Sequence, residues 1–345
     1  MPTEKFIQQG AININLQEKK NLPIVDILVI GAGLAGLSAS KKLADSGYQV
    51  LVVDKGKSVG GRLASRSFES AIFDYGAQFM TAREPTFLEQ VNTWIAEGTA
   101  ELWFRGHPGR SENHKRWRGI PNMRELANSL VGSLNINTAR QVLKIAVQQD
   151  QWKVEFKDGS LMHANNVLLT PPVPQSIEII DRGDTKLSQN QRRRLQKLTY
   201  DPCIAVMAVL EEPSKIPSPG MLVPDHDDID WISDNMKKGV SKLPSVTIHA
   251  SSDFSETHFN ADRNEVGTKI INLSKSWLGA PVKHFAIHRW RYSKPRCVDA
   301  ERFMLIQHNP TLMIAGDAFA GPRVEGAFLS GSTAAEALMA HIENY

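Results

Sequence analysis

The chain has 345 residues, more than one hydrophobic core ordinarily organises, so two domains are expected. Apolar residues make up 41% and charged residues 22%, a globular balance, and no run approaches the roughly 18 apolar residues of a membrane-spanning helix. The 40 basic and 37 acidic residues leave a formal charge of +3, too even to argue for nucleic acid, and two cysteines, Cys203 and Cys297, cannot build a disulfide framework or a zinc site.

Residues 1–24 are polar, carry no apolar stretch of signal-peptide length and read as a loose extension. With no export signal, a reducing cytoplasm is the simplest location. Residues 25–30 then form a strand, 34–46 a helix and 49–54 a second strand, a βαβ opening that implies a parallel sheet. Helical periods cover 85–97, with Phe87, Leu88, Val91, Trp94 and Ile95 on one face, and 122–134. From Arg140 the period changes to two. Residues 151–156 alternate, Asp158-Gly159 signals a hairpin turn, 160–164 run back, and 167–170 form a buried strand ending at Pro171-Pro172. Further on, 188–199 and 264–278 are helical, the first with Arg192-Arg193-Arg194 on a solvated face, and 203–210, 246–250 and 285–292 are strands. A strand at 311–315 is broken by Gly316-Asp317, and 325–342 is the closing helix. The expected division places 25–75, 135–175 and 286–345 in a cofactor domain, and 76–134 and 176–285 in a substrate domain.

Four segments carry the chemistry. Gly31-Ala32-Gly33-Leu34-Ala35-Gly36 follows a strand and opens a helix, with Gly31 for the tight turn, Gly33 for close approach to a pyrophosphate and Gly36 for strand–helix packing. Asp54 ends the second strand, where a carboxylate accepts both ribose hydroxyls, and Lys55 follows it. Together these indicate a dinucleotide. Gly60-Gly61-Arg62 offers a second close approach and a cation for a phosphate or flavin edge. Nicotinamide-dependent dehydrogenases have no common need for it, whereas flavoproteins that wrap a long FAD do. In the third segment, Gly76 and Ala77 are small enough for an isoalloxazine ring to lie against the backbone, and Gln78 can bond its polar edge. The fourth runs from Gly316-Asp317 to Gly326-Ala327-Phe328, where an acid at a strand end and a new helix N-terminus suit the ribityl and phosphate region. Val142 completes the candidate cofactor-binding set. FAD is the expected cofactor, and no metal site, P-loop or Ser-His-Asp spacing is present.

These residues resemble the flavin monoamine-oxidase superfamily and, within it, the renalase family. The likeness is carried by Asp54-Lys55, Gly60-Gly61-Arg62, Gly76-Ala77-Gln78, Thr170-Pro171-Pro172-Val173-Pro174, Asp234-Asn235, Lys237-Lys238, Val246-Thr247-Ile248-His249 and Trp290-Arg291. Arg323-Val324-Glu325-Gly326-Ala327 is similar to the family's bacterial branch. The resemblance implies an α/β fold: a Rossmann-type FAD domain of the GR2, p-hydroxybenzoate-hydroxylase-like topology, with an inserted substrate domain of mixed sheet and helices. It also implies oxidation of the 2- or 6-dihydro isomers of NADH and NADPH, with O2 as acceptor and hydrogen peroxide as product. Monoamine oxidases hold FAD through a cysteine near the last segment, and residues 317–331 contain none, so noncovalent FAD is expected.

Loss of a hydride from a dihydropyridine needs no strong base, so the site is expected to hold aromatic and hydrogen-bonding groups. The candidates are Trp290 and Tyr292, which share one face of a strand with Arg289 and Arg291 on the other, and Asn235 and His249 for the substrate carboxamide or the flavin. Two alternatives remain: an amine oxidase or desaturase of the same superfamily, with Lys237 or Lys238 beside the flavin, and a flavin-dependent nucleotide sensor that does not turn over. The partners expected are a dinucleotide-like small molecule and O2, with no nucleic acid and no membrane.

Overall fold

The computed structural model describes residues 24–107, 110–319 and 321–344, so the expected extension lies, except for Ile24, outside the described residues. The described residues open with β1 (Ile24–Ile30), α1 (Leu34–Asp45) and β2 (Val50–Val53). A hairpin of β3 (Ser65–Phe68) and β4 (Ala71–Asp74) precedes α2 (Pro85–Ala96) and a longer hairpin, β5 (Ala100–His107) and β6 (Arg110–Gly119). Next come α3 (Glu125–Asn128), β7 (Asn135–Asn137), β8 (Val142–Gln148), β9 (Gln151–Phe156) and β10 (Leu161–Leu169). Helices α4 (Val173–Arg182) and α5 (Gln189–Gln196) lead into β11 (Tyr200–Leu210), β12 (Met221–Leu222), β13 (Ile229–Asp234) and β14 (Ser245–Ala250). The remainder is α6 (Ser252–His258), α7 (Arg263–Leu278), β15 (Val282–Pro295), β16 (Phe303–Gln307), β17 (Thr311–Ala315) and α8 (Arg323–Glu343).

Eight strands form one sheet in the order β16-β17-β10-β1-β2-β7, with β9 branching from the start of β10 and β8 from β9. The strands β7, β2, β1, β10 and β17 run parallel. Counted in chain order those five lie 3-2-1-4-5, the doubly wound arrangement, whose strand order reverses between β1 and β10. A ligand crevice is expected there, beyond the carboxyl ends of the strands. Leu37, Phe87, Trp94, Phe328 and Leu338 of α1, α2 and α8 cover one face. Trp152, Phe156, Ile180 and Leu195 cover the other. A Cβ on Gly331 would lie 2.0 Å from Ala35 O, which is why the closing helix can press directly onto α1.

The second sheet is antiparallel, in the order β12-β13-β14-β11-β15. Period-two alternation sorts its residues. Ile204, Val206, Ile248 and Ile287 pack on Phe254, Val266 and Ile270 of α6 and α7. On the opposite face Met207 and Val209 pack on Ala71 and Phe73 beside β4. That face meets the loop leaving Asp74.

Several expectations change. The helix expected over 122–134 shrinks to one turn, because after it Leu130 N and Val131 N donate three residues back, to Ala127 O and Asn128 O (3.1 Å each), and the helix ladder is not continued. On α2, Phe87, Val91 and Trp94 are buried, but Leu88 and Ile95 are 39% and 42% exposed, so the apolar face is narrower than its pattern. Residues 160–164 and 167–170 form one strand, β10, antiparallel to β9 at its start and parallel to β1 beyond. The boundary expected at residue 286 falls inside β15, and α4 and α5 pack on the large sheet, because Ile180 and Leu195 belong to its core. Arg192 pairs with Asp181 (2.5 Å) and Arg194 with Asp299 (2.7 Å), so the basic run stitches α5 to its neighbours instead of standing free in solvent.

Candidate active site

The glycine turn after β1 sits in the expected crevice. Gly31 has φ +108°, and a Cβ there would lie 2.5 Å from Thr170 Oγ1 at the end of β10. A Cβ on Gly36 would lie 1.9 Å from Gly31 O, so only glycine lets α1 start this close to the turn. Gly33 differs, for a Cβ there would meet nothing within 4 Å. It faces open space at the head of a helix that has no side-chain cap and no acid in its first turn. The N–H groups of Leu34, Ala35 and Gly36 therefore keep their capacity to bind an anion. Asp54 turns back over this turn, accepting from Ala32 N (2.6 Å) through Oδ2 and Gly56 N (2.6 Å) through Oδ1, and each oxygen retains a lone pair for a ribose hydroxyl. Val142 is buried with Leu28 and Val53, beneath a segment tied to Asp54 O by Arg140 N (2.7 Å). Lys55 is exposed and donates to Gln175 Oε1 (3.0 Å).

Two expected cofactor contacts bind each other. The Arg62 guanidinium forms a fork on Asp317, Nη1 to Oδ2 at 2.6 Å and Nη2 to Oδ1 at 2.7 Å, and Nη1 also donates to Ser293 O (3.2 Å). The pair closes the two chain ends around the crevice. Gly316 (φ +147°) makes the turn that aims Asp317, and a Cβ on Gly326 would lie 1.8 Å from Gly321 O. Phe328 packs inward on Phe87 and Trp94, and Ala327 against the same core, so these two can offer a ligand only backbone at the head of α8.

The loop that follows Asp74 is held by side chains from the second sheet. Thr247 Oγ1 donates to Asp74 O (2.9 Å), and both His249 Nε2 (3.2 Å) and Trp290 Nε1 (2.9 Å) donate to Tyr75 O. Gln78 turns inward, donating to Asp74 O (2.7 Å) and Gly76 O (3.2 Å), so its side chain is spent within the loop instead of on a flavin edge. A Cβ on Gly76 would lie 2.1 Å from Arg62 O, so this glycine is required by the approach of two backbone segments. Ala77 N donates to that same carbonyl (2.8 Å).

Trp290 lies near the expected ring seat, 3.4 Å from a Cβ on Gly76, but its face is covered by Tyr75, stacked at 5.3 Å. Tyr292 lies farther along, 5.6 Å from Tyr200, on the strand whose carbonyls accept from Arg62. Arg289 and Arg291 lie on the opposite face, against Ala261 O and the Phe259 ring. Burial pushes the His249 imidazole down to about 4, with the Lys238 charge adding to it and the Tyr75 bond opposing it. Burial likewise pushes His288 to about 4, helped by Arg66 and Arg263. Both rings are neutral at physiological pH.

A second aromatic group closes the other side. Phe79 lies 5.5 Å from Trp231 and 5.9 Å from Phe104, and Trp103 lies 6.2 Å from Trp231. Under them Lys238 Nζ meets Asp74 Oδ2 (2.8 Å), Gln78 Oε1 (3.3 Å) and the Trp103 ring (4.7 Å), and both charged side chains are 0% exposed. Lys237 donates instead to Ser214 O and Ile216 O. Asn235 is buried, its Nδ2 donating to Thr247 Oγ1 (3.1 Å). Sequence reasoning marked the segment from Asp74 to Phe79 but gave no role to the side chains of Asp74, Tyr75 or Phe79, and it did not single out Trp103, Phe104, Trp231 or His288. The alternation that placed Trp290 and Tyr292 on one face also includes His288, whereas the β5–β6 hairpin went unrecognised. Among the described residues no His, Cys, Asp and Glu cluster could hold a metal ion. The cleft bordered by Glu69, Leu210 and His284 lies at the other end of β11, away from this chamber.

Two family patterns match the chain: the NAD(P)-binding Rossmann-like domain over residues 29–92, and the flavin containing amine oxidoreductase over residues 92–339. The chain belongs to the flavin containing amine oxidoreductase family. Renalase from Mus musculus is 26% identical over 342 residues, 92% of this chain and 99% of that protein. An L-amino-acid oxidase from Crotalus adamanteus is 24% identical over 241 residues, 68% of this chain but 43% of its own length. An engineered putrescine oxidase superimposes with a TM-score of 0.68 at 13% identity, covering 92% of this chain and 99% of that one, a likeness of fold. This amine oxidoreductase is therefore renalase-like, and its cofactor is FAD. The residues fit that cofactor on their own terms: Gly33 leaves an open cradle at an uncapped helix head, and Asp54 stands at the end of β2.

Proposed function

We propose that this chain oxidises the 2- and 6-dihydro isomers of NADH and NADPH to NAD(P)+. FAD, when bound, supplies the acceptor for the hydride and delivers both electrons to O2, which with two protons becomes hydrogen peroxide. The substrate ring needs no base, since its nitrogen lone pair expels the hydride and the product is an aromatic cation. The chain's part is to hold the ring flat, exclude water and meet its polar substituent.

One observation carries this reading: the Lys238–Asp74 pair beneath the aromatic group is sealed from solvent and satisfied internally. Around it stand aromatic rings, with the Arg116 guanidinium over Phe79 and Phe104, and neutral histidines, suited to a substrate that brings its own driving force. The full-length likeness to renalase supports the same reading. An amine oxidase with a lysine near the flavin is less well served. Lys238 is buried against Asp74, and Lys237 is bonded to two backbone carbonyls.

The substrate is then a small dinucleotide and the acceptor O2, with no part for nucleic acid or a membrane. Among the described residues no helix is long and apolar enough to cross a membrane. A cytoplasmic location is part of this proposal and accords with the unpaired thiols of Cys203 and Cys297. Anaerobic stopped-flow mixing with each purified dihydro isomer is the test. Bleaching of the flavin band within one turnover is expected, and slow or absent bleaching with every isomer refutes the proposal.

A further inference from the structure

Two side chains expected to donate to the middle of FAD are committed elsewhere, Arg62 to Asp317 and Gln78 within its own loop. At the carboxyl end of β10 the neighbouring hydroxyls are committed too. Thr170 Oγ1 donates to Ile30 O (2.9 Å) and Ser176 Oγ to Pro171 O (3.1 Å). Tyr200, at the start of β11, is different. Its Oη accepts from Val173 N (3.3 Å), the first N–H of α4, so the phenol hydrogen must go to another acceptor, and no described residue supplies one.

The ring of Tyr200 is half-buried and held, edge-on to Tyr292 (5.6 Å) and 5.9 Å from the Arg62 guanidinium. Burial pushes its phenol above the usual value, the Asp317 charge adding and the Arg62 charge opposing, so the hydroxyl keeps its hydrogen at physiological pH. Strand order says which part of the cofactor passes this point. Asp54 follows β2, Gly33 follows β1, Val173 follows β10 and Asp317 follows β17, and those four strands are consecutive neighbours. A dinucleotide with its ribose at Asp54 and its diphosphate at Gly33 therefore continues over the ends of β10 and β17. In FAD the group that follows the diphosphate is the ribityl chain, whose hydroxyl oxygens accept without charge.

We propose that Tyr200 is a cofactor-binding residue whose hydroxyl donates to a ribityl oxygen of FAD. Its role goes beyond the proposed substrate and stands whichever compound is oxidised. The bond from Val173 N matters because it occupies a lone pair of Oη and leaves the phenol hydrogen for the ligand.

The test titrates the apoprotein with FAD, followed by flavin fluorescence, and with ADP, which carries the adenosine and diphosphate but no ribityl chain, followed by calorimetry. Tyr200→Phe keeps the ring against Tyr292 and removes only the hydroxyl. FAD should then bind about three- to tenfold more weakly, the worth of one neutral hydrogen bond, while ADP affinity stays within about twofold. An FAD affinity within about twofold of the parent overturns the inference. So does an equal fall for both ligands, which would place Tyr200 at the diphosphate or in the fold alone. The parent should also bind one FAD analogue lacking a single ribityl hydroxyl more weakly by about the same factor, and Tyr200→Phe should not distinguish that analogue from FAD. Should Tyr200→Phe fail to fold, the parent decides: equal affinity for FAD and for every such analogue overturns the inference.

Discussion

Removing Lys238 would strand a carboxylate in the interior. Both partners of the Lys238–Asp74 pair are fully buried, 2.8 Å apart, and Asp74 also accepts from Ser65 Oγ and Met123 N. Deleting one member of such a pair costs about 3–5 kcal/mol, because the survivor keeps its desolvation penalty without its counter-charge. For a chain of 345 residues, at about 2.1 cal/mol/K per residue, Lys238→Met should therefore lower Tm by about 4–7 °C. The double variant Asp74→Asn with Lys238→Met removes the stranded charge, and the asparagine oxygen still accepts from Ser65 and Met123. It should recover most of the loss, ending within about 2 kcal/mol of the parent. Calorimetry at a fixed excess of FAD is the assay, since cofactor binding alone moves Tm. A loss below about 1 kcal/mol in Lys238→Met, or a double variant less stable than the single one, would refute the reasoning.

The two inner glycines of the first turn should separate folding from cofactor binding. Gly36→Ala drives a Cβ to 1.9 Å from Gly31 O and should cost more than about 2 kcal/mol, seen by melting the apoprotein. Gly33→Ala meets no protein atom within 4 Å, so the apoprotein should melt within about 1 kcal/mol of the parent while FAD affinity falls at least about tenfold by fluorescence titration. Arg62→Ala leaves Asp317 largely buried and unpaired, and a loss of about 2 kcal/mol with reduced FAD content is expected; Arg62→Lys should not restore it, since an ammonium lacks the fork. Folding holds His249 and His288 at about 4, below their unfolded value near 6.5, so the folded state binds fewer protons than the unfolded one between those values. The stability they contribute is complete above about pH 6.5 and is lost as pH falls toward 4, by at most about 3 kcal/mol for His249 and less for the more exposed His288. Urea midpoints across that range should show a shallower slope in His249→Gln; an unchanged slope would exclude His249 as a source.

What the sequence makes legible follows from how local each signal is. The βαβ opening, α8 and the turn at Gly159 depend on neighbouring residues, and short-range pattern suffices to place them. The Asp54 position was readable because the glycine turn fixes where the acid must stand. Roles set by partners far along the chain were not readable. Arg62 and Asp317 each look like a ligand contact alone, and only the fold shows that they satisfy one another. Gln78 has an amide suited to a flavin edge, yet the carbonyls of Asp74 and Gly76 claim it. The β5–β6 hairpin escaped notice because Leu102-Trp103-Phe104 breaks strict alternation, and the register shifts at that point. The one-turn α3 was overread because Leu126, Ala127 and Leu130 keep a helical apolar spacing while the backbone tightens to bonds three residues back after Asn128.

The large sheet has a consequence for biosynthesis. Its β17 inserts between β10 and β16, and α8 lies directly on α1, so the glycine turn after β1 waits for both elements before its surroundings are complete. A ribosome must release the chain as far as Asp317 before Arg62 finds its partner. Flavin uptake therefore waits on the synthesis of β17 and α8, and chains truncated before Thr311 should stay colourless.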